Sequence, residues 1–417
     1  MKIGFARTEI TPPAGIELGG YAGYRPCSGV HDPLYCKAVV LEQEGLRYAL
    51  LVLDLMCVDE ALADRIGREI AGFGISRERM LVCAIHSHAA PQGSVPGEGP
   101  LDRVNNECIV NREVFTQYML SVAEAAGNAC REAAEKLEPF QVRTARGAVP
   151  RIGSERHTGA APGGSLTVVQ CRTESGKNLM IHNFPCHPTV LSAANLEASA
   201  DFVGGIEKLL DCDMAVFVNS AAGDISTRFT RRESSFEECD RMARIAADQI
   251  SELLEDAVYT QPEPLKGIRT TITLRARNVE SEETAQKHLD EATERWQQAL
   301  SQGADAGTVR ILKSYVEGAG VSLEFARNLV GIHELHLPVT VFRFAGLNFA
   351  SIPGELFSTL QPENVSILSY TNGYYRYICD EKAYEAGYYE ALAAIVAPGE
   401  GERLIRQIMT QLKSLAV

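Results

Sequence analysis

Two histidines separated by a single residue, His86 and His88, lie in the stretch Cys83-Ala84-Ile85-His86-Ser87-His88-Ala89-Ala90-Pro91. The apolar run 80–85 reads as a buried strand, which Pro91 and Gly93 bring to an end. If the strand continues to His88, alternation sends both rings out of one face. Imidazoles at a strand mouth suit a metal ion, and they equally suit a plain hydrogen-bonded pair. His187 sits in Pro185-Cys186-His187-Pro188, just past the apolar run 178–184. Nearby prolines restrict its backbone and so preset its direction, as a ligand or a rigid turn requires. Glu355 follows Pro353-Gly354 and is expected to open a helix, where a carboxylate usually serves the cap or the dipole. Ser226 closes the small-residue turn Ser220-Ala221-Ala222-Gly223-Asp224-Ile225-Ser226, which lacks the Gly-x-Ser-x-Gly spacing of a nucleophile elbow. Seven of the 14 tyrosines fall between Tyr370 and Tyr389, a density that fits either a polar-lined pocket or a core with hydrogen-bonded edges.

Such side chains need a scaffold, and the hydrophobic pattern supplies one. Residues 36–42 and 47–55 read as a strand pair turning at Gly45, and a helix over 59–71 returns the chain to the 80–85 strand. That order predicts an α/β fold, a central mixed sheet flanked by helices, with a right-handed crossover. Further strands are predicted over 140–145, 166–172, 178–184, 214–219 and 334–351, and helices over 112–138 and 235–256. Residues 6–24, rich in Gly and Pro, read as loop, whose Gly19-Gly20-Tyr21 could approach a ligand or simply pack. Residues 147–164 read as irregular and carry Arg151, Arg156 and His157. Over 282–328 two polar stretches around Gly303 predict a helical hairpin, a lid or contact surface inserted in or beside the sheet domain. Asp54, inside an apolar run, needs a partner, either a metal-bound histidine to orient or an ordinary hydrogen bond.

Composition excludes several classes. The chain has 417 residues, 45% hydrophobic and 23% charged, which is ordinary for a globular enzyme and ample for a core without disulfides. A net charge of −14 argues against a nucleic-acid backbone as partner. The Arg228–Arg232 run, with three arginines and Phe229, meets a polar or anionic substrate group or lies solvated. No stretch approaches the roughly 20 apolar residues of a transmembrane helix, and the N-terminus lacks the pattern of an export signal. Eleven cysteines without a Cys-x-x-Cys pair suit a reducing cytoplasm.

Taken in order, these pieces resemble the neutral (non-lysosomal) ceramidase family, from Thr8-Glu9-Ile10-Thr11-Pro12-Pro13 through to Tyr389. The family's Thr-His-Thr-His-Ser-Gly-Pro is similar to Ile85-His86-Ser87-His88-Ala89-Ala90-Pro91, and its His-Pro-Thr to His187-Pro188-Thr189. Its Gly-Asp-Val-Ser is similar to Gly223-Asp224-Ile225-Ser226, its Pro-Gly-Glu to Pro353-Gly354-Glu355, and its tyrosine-rich segment to residues 374–389. The resemblance implies a zinc ion held by His86, His187, Glu355 and Tyr377, with His88 and Ser226 lining the reacting centre. It matches Tyr389 to a tyrosine near the scissile carbonyl, and Arg156, here preceded by Glu155, to the arginine of an Asn-Arg pair. It also implies one catalytic domain over 1–417, with the 282–328 hairpin as an insertion and no C-terminal β-sandwich domain. The sequence departs from the family at Thr227-Arg228, where the ceramidases carry Pro-Asn, so ceramide itself is the less supported part of the resemblance.

Two imidazoles, a carboxylate and a phenol form a donor set that suits zinc. Zinc there would lower the pKa of bound water toward ~7 and polarise a carbonyl oxygen. Arg156 and Tyr389 are expected to stabilise the oxyanion, each such donor being worth about 3 kcal/mol. His88 is expected to carry a proton to the leaving amine, and Ser226 to hydrogen-bond substrate or water. The expectation is a zinc-dependent amidohydrolase acting on a small polar N-acyl compound or a lipid amide, without nucleic acid, and open to homo-oligomer formation. Cleavage of an ester or sugar-derived linkage is the alternative, followed by a non-catalytic metal- or ligand-binding protein.

Overall fold

Lys2–Glu9 is a strand, not the start of the loop expected from residue 6, and it pairs antiparallel with Tyr35–Gln43 along its whole length. Gly4 is the reason the chain fits there. A Cβ at that position would lie 2.0 Å from the carbonyl oxygen of Ala133, in the helix Arg112–Glu135 packed over the strand. The computed structural model describes residues 1–99, 101–106 and 109–415.

The central sheet has eight strands. Their spatial order is Met214–Asn219, Asn178–Phe184, Leu166–Thr173, Glu138–Gly147, Lys2–Glu9, Tyr35–Gln43, Leu46–Leu53 and Met80–Ala84. The outermost pair at each edge runs parallel and the pairs between them antiparallel, so the sheet is mixed as expected. Parallel pairing of Leu46–Leu53 with Met80–Ala84 requires a crossover. The helix Glu60–Ile70 provides it, starting at Asp59, whose carboxylate accepts from the Leu62 N–H at 2.7 Å. The two sheet edges approach each other, and Asn219 links them. Its side chain donates to the carbonyl oxygens of Ile85 (3.3 Å) and Cys186 (3.0 Å) and accepts from the Cys186 N–H (3.2 Å).

A second, four-stranded sheet orders Lys266–Arg275, Glu334–Phe344, Leu347–Ser351 and Val365–Leu368. It adjoins the first where the Ser369 N–H bonds Asn219 and the Ala84 N–H bonds the Tyr370 carbonyl. The expected helical hairpin is present as Glu282–Ser301 and Ala306–Asn328. It packs on the short helix Tyr389–Leu392; a Cβ at Gly318 would touch Leu392 and Tyr389. Asp54 has ordinary hydrogen-bond partners, accepting from Lys37 Nζ (2.7 Å) and the Tyr35 N–H (2.8 Å). Among the described residues no helix is long and apolar enough to cross a membrane.

Candidate metal centre

The Met80–Ala84 strand stops before the histidines, so alternation does not aim them. His86 instead takes φ +70°, a left-handed turn that costs a non-glycine residue of the order of 1 kcal/mol. The turn still brings the rings together, with His88 Nε2 3.3 Å from His86 Nε2. His86 Nδ1 donates to the Met56 carbonyl at 2.7 Å, and its ring stacks on Tyr370 at 4.0 Å. That bond fixes the tautomer and aims the Nε2 lone pair inward.

His187 is held in the same way from the opposite sheet edge. It follows Asn178–Phe184, and its Nδ1 bonds the Ile225 carbonyl at 3.0 Å. Burial first, and then the Arg156 charge, push its pKa down to about 4, so the ring is neutral near pH 7. Glu355 does not open a helix. It lies in the two-residue strand Glu355–Leu356, parallel to Tyr377–Ile378, with Glu355 and Tyr377 as direct partners. Pairing with the tyrosine segment outcompetes the helix start, and the carboxylate is turned inward at 2% exposure. Its Oε1 accepts from Tyr374 OH at 2.6 Å, while Oε2 faces His187 Nε2 at 3.0 Å and His86 Nε2 at 3.4 Å.

His88 completes a group of three histidines whose ligand atoms all lie within 4.8 Å of one another. Its Nδ1 is buried without a hydrogen-bond partner. Desolvation first, and then the neighbouring imidazoles of His86 and His187, keep its pKa well below the usual histidine value. The glycine-rich loop proves to be its floor. Tyr21 meets the ring edge-on at 4.8 Å, and at Gly20 (φ +85°) a Cβ would sit 2.4 Å from the His88 ring.

Arg156 Nη1 donates to Tyr377 OH (3.3 Å), the Gly223 carbonyl (3.2 Å) and Glu390 Oε1 (3.0 Å). Tyr389 places its ring 6.1 Å from that of Tyr377, and burial raises its phenol to about 12, so it remains a donor. Ser226 is buried beside the His187 backbone, and its Oγ accepts from the Arg228 N–H at 3.4 Å. Arg151 is exposed, and its backbone N–H donates to the Gln249 side chain. Glu390 was not foreseen. It pairs with Arg156 and with His157 (3.1 Å), and nothing in its helical context sets it apart from any surface acid. Tyr374 lay inside the tyrosine cluster, although its role against Glu355 did not.

The donor set fits a cation. With Nδ1–H committed to carbonyls, His86 and His187 turn lone pairs toward one carboxylate oxygen and toward His88. A proton on Glu355 or His88 relieves one of these contacts, whereas a shared divalent cation relieves the whole set. Neutral ceramidase from Pseudomonas aeruginosa superposes on this chain with a TM-score of 0.76 at 15% identity, covering 99% of this chain and 74% of that one. A ceramidase complexed with C2 gives 0.73 at 14% identity, over 100% of this chain and 75% of the other. The fold is that of neutral ceramidase. No family model and no curated protein matches the sequence. The ceramidase backbone therefore persists where sequence similarity has nearly gone.

Proposed function

We propose that the protein is a zinc-dependent hydrolase that cleaves an amide bond in an N-acyl substrate, and that residues 1–417 form one catalytic unit carrying the 282–328 hairpin as an insertion. The observation that carries this reading is the convergence on Glu355 of His86 and His88 from one strand end and His187 from another, with the His86 and His187 lone pairs facing inward. In the proposed assignment His86, His187, Glu355 and Tyr377 hold the ion, and His88 faces it from the substrate side. When bound there, zinc supplies an acidified water and a Lewis acid for the carbonyl oxygen.

The remaining work belongs to the chain itself. Arg156 is locked by three acceptors on Nη1, and no described residue takes its Nη2 or Nε, so these N–H groups are left for a substrate oxygen. The Tyr389 hydroxyl is a second donor to the developing oxyanion, and loss of either donor costs about 3 kcal/mol. His88, neutral and desolvated, carries the proton from water to the leaving nitrogen. Ser226 anchors substrate or water. Its hydroxyl has no histidine base among its bonded partners, which supports a non-covalent role. The ten described cysteines are all unpaired thiols, which supports a cytoplasmic setting.

The test is metal analysis of the purified protein, followed by a panel of N-acyl amides, esters and glycosides assayed with zinc and after chelation. About one equivalent of zinc and chelator-sensitive amide cleavage are expected. Turnover of esters or glycosides alone would reassign the bond, and a metal-free protein indifferent to chelation would sink the hydrolase reading.

A further inference from the structure

Two of the three histidines at the centre have ring bonds that set their direction. His86 and His187 each commit Nδ1 to a backbone carbonyl. His88 has no such bond, since its buried Nδ1 meets no hydrogen-bond partner among the described residues. Its aim must come from its own backbone and from the surface beneath the ring, and one side chain holds both. Arg25, 4% exposed, donates through Nη1 to the carbonyl oxygen of His88 itself at 3.0 Å and to that of Gly19 at 2.9 Å. Gly19 adjoins Gly20, the floor of the imidazole, so a single nitrogen sets the spacing between the His88 backbone and that floor. The guanidinium also lies over the Tyr21 ring, 5.0 Å from its centroid, and it is this ring that meets His88 edge-on.

The other two nitrogens reach a different segment. Nε donates to the Ala193 carbonyl at 3.2 Å and Nη2 to that of Asn195 at 2.8 Å, on the loop that follows His187. Tyr21 adds its hydroxyl to the Leu191 carbonyl of the same loop at 2.8 Å. Four carbonyl oxygens from three stretches of chain thus converge on one planar fork. An ammonium carries its three hydrogens on one atom and a neutral amide has two, so neither reproduces this arrangement. Burial of a charge is costly, and charge-assisted bonds offset that cost only where they are made together. A loop that needed closing alone could be packed with an apolar side chain. We propose that Arg25 is the positioning residue of His88, holding the imidazole where it can pass a proton to the leaving nitrogen. The inference rests on the amide-hydrolase reading above, in which His88 carries that proton.

Arg25→Lys keeps the charge and loses the fork. In the zinc-loaded protein its kcat on N-lauroylethanolamine should fall about 10–100-fold, with KM within about twofold of wild type. N-lauroyl-p-nitroanilide has a leaving nitrogen that needs a proton far less, so its kcat should fall by no more than about threefold. Equal losses on the two amides would mark a merely structural role and overturn the proposal, as would loss of zinc along with activity. Arg25→Gln, planar and uncharged, takes the place of the lysine variant if that one fails to fold, with the same expectations. If the wild type cleaves no amide, the hydrolase reading fails separately. The ring nitrogens of His88 then still decide the positioning, in protein labelled with nitrogen-15 histidine and with their signals identified by loss in His88→Gln. Arg25→Lys should shift or broaden the His88 signals and leave those of His187, pinned to Ile225, in place. Unmoved His88 signals overturn the proposal.

Discussion

Glu355 and Tyr377 stand opposite each other in register on two parallel two-residue strands. Parallel partners project to the same face, so this ladder delivers a carboxylate and a phenol together beside the histidines. Tyr374, in the turn leading into Tyr377, donates its hydroxyl to Glu355 Oε1 at 2.6 Å and fixes which oxygen faces the imidazoles. Tyr374→Phe leaves the ring packing intact and frees the carboxylate to rotate. Groups that orient a ligand are commonly worth 10–100-fold in metal affinity or activity. A drop of that size in zinc affinity, read by competition with a chelator, is expected; an unchanged affinity would remove Tyr374 from the design.

His187→Ala takes away a fully buried donor whose other ring nitrogen is pinned to Ile225. Zinc content after dialysis should fall to a small fraction of an equivalent, and activity by more than about 100-fold. A folded, fully metallated variant would contradict the assignment of His187 as a ligand.

Gly20→Ala tests the floor beneath His88. The new methyl meets the imidazole at a distance no real contact allows, and the backbone there is left-handed, so His88 must move. If His88 moves protons rather than holding zinc, kcat should fall roughly 10²-fold while zinc content stays near that of the wild type. Loss of zinc together with activity would make His88 a ligand.

Glu390 sets an acid-stability signature. Burial alone would raise its pKa, yet His157 and Arg156 bring it from 4.5 down to about 2. A depressed carboxyl stabilises the fold above its unfolded pKa and loses that contribution as pH falls from about 4.5 toward 2. The linkage is worth of the order of 3 kcal/mol. In urea melts, Glu390→Gln should be destabilised by about 2–4 kcal/mol at pH 7, because Arg156 keeps a buried charge without its partner. The gap to wild type should narrow below pH 4.5; a gap independent of pH would contradict the pairing.

The strands, the crossover helix and the hairpin were legible because long segments with period 2 or 3.6 announce themselves. Lys2–Glu9 was harder, since Gly4 and the neighbouring Gly/Pro-rich loop blurred its alternation. At the centre, residue types were visible but aim was not. The His86 turn depends on a positive φ that no spacing encodes, and Glu355 joined a strand because Tyr377 was there to pair with it. Glu390 became a charge partner only through a fold that carries it to Arg156. Long-range pairing decided each of these, and local propensity does not register it.

Because Asn219 fastens Ile85 to Cys186, the histidine-bearing loops meet only once the sheet has curled far enough for its first and last strands to touch. Partial folding would leave His86 and His187 on separate ribs with nothing between them. On the proposed zinc assignment, ion capture would act as a completion signal, and chelator-induced release should track the cooperative opening of the whole clasp rather than fraying at either end.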